Sequence, residues 1–110
     1  MKFYRGMKAE GQPGPGHVSV CDTEWHKKVP KSLDPRNDLI NHSPDGFNWG
    51  FGGSGPAQLA LALLADHLED DDEALKYYQQ FKLLIVAQLP ERGWKLTAAE
   101  IDDALKKIKG

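Results

Sequence analysis

Phe47-Asn48-Trp49-Gly50-Phe51-Gly52-Gly53-Ser54-Gly55-Pro56-Ala57-Gln58-Leu59-Ala60-Leu61-Ala62-Leu63-Leu64-Ala65 is the stretch that decides how this chain is read. Its first five residues alternate aromatic with Asn or Gly, the period of a strand, which predicts Phe47, Trp49 and Phe51 on one side. Ser43-Pro44-Asp45-Gly46 ahead of them has proline and glycine where a tight turn wants them. The glycines then end the strand. Pro56 suits the first turn of a helix, where its missing N–H has no acceptor to lose, and Ser54 or Gly55 can serve as N-cap. Ala57 to Ala65 is apolar on nearly every face, which predicts a helix buried all round.

Downstream, Asp70-Asp71-Asp72-Glu73 supplies an N-cap and an acidic first turn for a second helix. Ala74, Tyr77, Tyr78, Phe81, Leu84, Ile85 and Leu89 form its apolar stripe, and Pro90 stops it. Trp94-Lys95-Leu96 reads as a short extended link that docks Trp94 on the core. Thr97 to Glu100 is a second capping box, followed by the apolar face Ile101, Ala104, Leu105 and Ile108 of a last helix. Upstream, Lys2–Met7 and His17–Cys21 read as strands joined through a Gly/Pro loop, and 25–29 as a possible third. Pro30 to Pro44 reads as irregular, with Leu39-Ile40 its only apolar anchor. The expected fold class is α+β. A small N-terminal antiparallel sheet of two to four strands packs against three C-terminal helices, the first of them central, in one domain over residues 1–110.

Bulk properties narrow the function classes. Of 110 residues, 40% are hydrophobic and 27% charged, ordinary for a globular domain. The net charge is −2, with seven Lys/Arg against six Asp/Glu up to Gly53 and seven against ten beyond it. No basic stripe meets phosphates, which disfavours nucleic acid as a partner. One cysteine, Cys21, makes no internal disulfide, the first residues lack the apolar run of a signal peptide, and Leu59–Ala65 is far short of the ~20 residues of a membrane span. These point to a cytoplasmic protein without a membrane partner.

Three constellations could carry chemistry. Gly50-Phe51-Gly52-Gly53-Ser54-Gly55 spells G-x-G-x-x-G before a helix, whose free amides suit an anion. A dinucleotide site also needs a second parallel strand and an acidic partner about 20 residues on, whereas here the acidic run at that distance caps a helix. The turn therefore reads as structural or as the site of a smaller polar or anionic ligand. Ser54 with His42 would make a nucleophile and base, although Pro56 replaces the last glycine of G-x-S-x-G. The aromatics could stack a ligand but more often make core. No histidine pair has i, i+4 spacing and Asp70-Asp71-Asp72 lacks the pattern of a calcium loop, so no metal and no cofactor are expected.

The run from His42 to Leu64 resembles a family of small bacterial, archaeal and mobile-element proteins, domain-of-unknown-function family 6166. The likeness extends through Tyr78, Phe81-Lys82, Leu89-Pro90, Trp94, Thr97 and Glu100-Ile101, with Tyr4-Arg5-Gly6 near the start. The resemblance implies a one-domain architecture, sometimes carried on phages or plasmids, and no activity, cofactor or catalytic residue. The functional expectation is a non-enzymatic binding or accessory protein. Its ligand or protein partner meets the surface around His42, Asn48, Trp49, Gly52, Gly53 and Ser54. A small hydrolase or transferase using Ser54 and His42, and an inhibitor acting by protein contact, are the alternatives.

Overall fold

The computed structural model describes residues 2–8, 15–22, 30–44 and 46–110. Strands β1 (Lys2–Met7), β2 (His17–Asp22) and β3 (Lys31–Ser32) precede helices α1 (Ser54–Leu68) and α2 (Asp71–Leu84); strand β4 (Gly93–Thr97) and helix α3 (Ala98–Lys109) follow. The four strands form one antiparallel sheet in the order β3-β2-β1-β4. The α+β class with three helices is the one the sequence predicts. The possible strand at 25–29 lies outside the described residues.

Alternation decides which face of the sheet is covered. Tyr4 stands opposite Val20 and Leu96, and Gly6 opposite Val18 and Trp94; all six are buried. The Trp94 indole lies across Gly6, and Trp49 lies across Gly16, where a Cβ would come within 2.1 Å of the ring. The two indoles meet edge to face with centroids 5.5 Å apart, a favoured aromatic geometry. Against this layer packs α1, buried without a break from Pro56 to Ala65. Tyr78 and Phe81 of α2, and Ile101, Ala104 and Leu105 of α3, close the core.

Four local expectations change. Trp94-Lys95-Leu96 is no link but the middle of β4, an edge strand paired with β1. Its five residues alternate correctly, but the partner strand lies at the far end of the sequence. The second helix does not run on to Leu89. It ends at Leu84, and Val86–Gln88 form a 3₁₀ turn that puts Val86 fully in the core and leaves Leu84 41% exposed. In the segment read as irregular, Leu33 joins the core beside β3. The aromatic run is also no strand: Phe47 makes a single bridge to Gly16, and the chain then turns.

Capping follows the sequence at two of three helices. The Asp70 side chain accepts from the Glu73 amide, and Thr97 and Glu100 form the complete reciprocal box. At α1 the N-cap is Gly53, without a side-chain bond, and Ser54 is already the first helical residue. No described helix is long and apolar enough to cross a membrane.

Candidate functional site

The glycine turn is built by one left-handed residue. Gly50 has φ +85°, a conformation that L side chains rarely adopt, and its N–H donates to the Val86 carbonyl at 3.0 Å. This pivot breaks the alternation: Phe47 and Trp49 are core at 6% and 1% exposure, whereas Phe51 is turned out and 49% exposed. Phe51 and Gly52 are exposed, Gly52 has open space on its Cβ side, and Ser54 is exposed at the start of α1. Gly55 lies tight against Asn48, where a Cβ would be 2.6 Å from that residue's own.

The predicted site residues take different places around this turn. Trp49 lies beneath the surface, its Nε1–H donating to the Glu91 carbonyl at 3.0 Å. Asn48 is half-buried; its Oδ1 accepts from the Trp49 amide and from Lys8, whose ammonium also stands 4.9 Å from the centre of the Trp49 ring. His42 is half-buried on the preceding loop, with Nε2 2.8 Å from the Tyr78 hydroxyl. Gln79 donates to that hydroxyl oxygen at 3.1 Å, so the phenol links the imidazole to the Gln79 amide. No hydrogen bond joins His42 to Ser54 among the described residues, so the imidazole is engaged with a phenol and not with a nucleophile.

Gln58, read in the sequence only as part of the apolar helix, organises this region. It is fully buried. Its Oε1 accepts from the amides of His42 (2.8 Å) and Ser43 (3.1 Å), and its Nε2 donates to the Pro35 carbonyl. One core amide thus fixes the loop from Pro35 to Ser43 on α1, and Asn37 adds a bond to the Ser43 carbonyl. A lone amide inside an otherwise apolar helix was the signal, since such a group stays buried only when it is satisfied.

Two cavities lie away from the turn, and none of the six predicted site residues lines either. One of about 420 Å³ is lined by Leu33, Asp34, Arg36, Ala62, Ala65, Asp66, Glu69 and Asp71. Arg36 bridges Asp38 and Asp71 there, and the guanidinium holds the Asp38 carboxyl below the usual range. Asp66 accepts from Lys2 and from the Tyr4 hydroxyl at 2.6 Å. Burial, and after it the bond to Asp66, pushes the Tyr4 hydroxyl far above its ordinary range. The other, about 340 Å³, lies between Leu84, Ile85, Leu96 and the Glu100, Asp103, Ala104 and Lys107 face of α3. Among the described residues no group of three or more His, Cys, Asp or Glu could hold a metal ion.

The G-x-G-x-x-G match fails on the fold as well as on its acidic partner. The sheet is antiparallel throughout, with no parallel crossover among the described residues. A small antiparallel sheet with an apolar central helix, and a glycine turn fastened between them, defines an α+β domain whose conspicuous surface feature is a loop. The chain belongs to DUF6166, a family of unknown function whose family model matches residues 4–107. No curated protein and no solved structure matches it.

Proposed function

We propose that this chain is a small binding module without catalysis of its own, which meets a protein partner through the turn from Gly50 to Ser54. The observation that carries the reading is Phe51. In a run whose other aromatics are core, this ring is nearly half exposed, flanked by glycines on a turn pinned at Gly50. Exposed aromatics on a preorganised loop are what interfaces use for anchors, because little entropy is lost in fixing them. Gly52, Gly53 and Ser54 form the contact rim. His42 and Asn48 hold the flanks, and Trp49 supports the turn from below. The same surface serves an inhibitor acting by protein contact.

Affinity capture from the native host with the wild type, Phe51→Ser and Gly53→Val tests this reading. The expected result is a partner retained by the wild type and lost by both variants at unchanged thermal stability. A partner retained by both variants removes the turn from the interface. Mass shifts in native mass spectrometry with phosphate-bearing metabolites, abolished by Gly53→Val, transfer the turn to a small anionic ligand.

A further inference from the structure

The face of the sheet turned away from the helices differs in chemistry from the rest of the molecule. The register sets out its rows: Cys21, Phe3 and Thr97; then Ser32, Ser19, Arg5 and Lys95; then His17, Met7 and Gly93. Arg5 and Lys95 are directly opposite on paired strands, and like charges in that position destabilise a sheet. No carboxylate lies in these rows, and Arg5 makes no ion pair among the described residues. Lys95 has settled over the Phe3 ring at 4.6 Å from its centre. Met7 stands 61% exposed in the next row. Asp34, Asp66, Glu69 and Asp71 lie elsewhere, around Arg36.

We propose that this face, separate from the Gly50–Ser54 turn, docks an acidic segment of a protein partner that carries apolar side chains between its carboxylates. Charge complementarity selects the occupant: two adjacent cations without a counter-ion among the described residues attract carboxylates, and Phe3 and Met7 beside them offer apolar contact. Arg, Met and aromatic residues are the types enriched at protein interfaces. Nucleic acid fits less well. The net charge is −2, and these rows hold two cations rather than a basic stripe. The unfavourable Arg5–Lys95 pair is then explained as a cost in the free chain that an acidic partner relieves.

The test titrates the ¹⁵N-labelled full chain with a short synthetic peptide of glutamates interspersed with leucines, and in parallel with oligothymidine. The peptide is expected to shift amides of β1, β2 and β4 saturably, with affinity that falls as salt rises. Arg5→Glu should weaken it at least about tenfold and Met7→Ser about fivefold, corresponding to roughly 1 kcal/mol for the latter. Because Arg5→Glu replaces a repulsive pair with an attractive one, its Tm should rise, which separates lost binding from lost folding. The proposal is overturned by any of four results. These are no saturable shift on this face, saturation by oligothymidine with the peptide silent, the same shifts on concentrating the protein alone, or peptide affinity unchanged in Arg5→Glu.

Discussion

Replacing Gln58 by leucine should cost far more than a near-isosteric exchange in an apolar helix suggests. The side chain is fully buried, and leucine fills almost the same volume, so the contacts of α1 survive. What is lost is the set of three bonds to the His42 and Ser43 amides and the Pro35 carbonyl. Each is worth about 1 kcal/mol net, with more at stake where the orphaned group is shut off from water. The added apolar burial offsets roughly 1 kcal/mol of that loss. The balance is a destabilisation of about 2 kcal/mol, or a fall in Tm of about 10 °C for a domain of this size. Urea denaturation measures the free energy, and amide hydrogen exchange at His42 and Ser43 reports the loop directly. Protection of both amides should drop more than that of the α1 interior. A loss below about 0.5 kcal/mol with both amides still protected would refute the reasoning, because the loop would then be held by something other than Gln58.

Gly16→Ala should cost about 1–3 kcal/mol by overpacking, since its Cβ would meet the rigid Trp49 ring, whereas Gly52→Ala, with open space, should stay within ~0.5 kcal/mol. Thermal melts followed by tryptophan fluorescence distinguish the pair. Thr97→Ala removes half of the only complete capping box among the described helices and should cost about 1 kcal/mol, read by urea denaturation. Tyr4 gives the pH dependence. Its folded pKa lies above the unfolded value of about 10, so its neutral hydroxyl contributes stability in full below pH ~10 and loses it as the pH rises toward the folded value. Tyr4→Phe should cost about 1–2 kcal/mol at pH 7 through the lost bond to Asp66 and should flatten that alkaline fall in Tm.

Features set by local rules were legible from the sequence. The unbroken apolar run of α1, the alternation of β2 and the Thr97–Glu100 box are each decided within a few residues, and each stands in the structure. What escaped was decided by distant partners. Trp94-Lys95-Leu96 has the period of a strand but becomes one only because β1 offers its edge. The stripe of α2 continues past Leu84 on paper, yet core packing claims Val86 and ends the helix. In the candidate site, the glycine pattern located the turn, but only the positive φ of Gly50 reveals that Phe51 leaves the row of Phe47 and Trp49. Gln58 was visible as a letter and not as a role, because its partners lie on a loop that sequence spacing does not connect to it.

The pairing of Phe3 with Thr97 joins strands far apart in the sequence, and this sets a timetable for synthesis. As the chain leaves the ribosome, β1 and β2 can zip together early, but the other edge of β1 waits until Gly93–Thr97 emerge. Throughout that interval the nascent chain presents an open strand edge to its neighbours. Premature termination anywhere before Gly93 would therefore do more than delete a helix. It would release a product with a permanently unpaired edge and an uncovered Gly6, primed to associate with other copies or to be cleared by quality control.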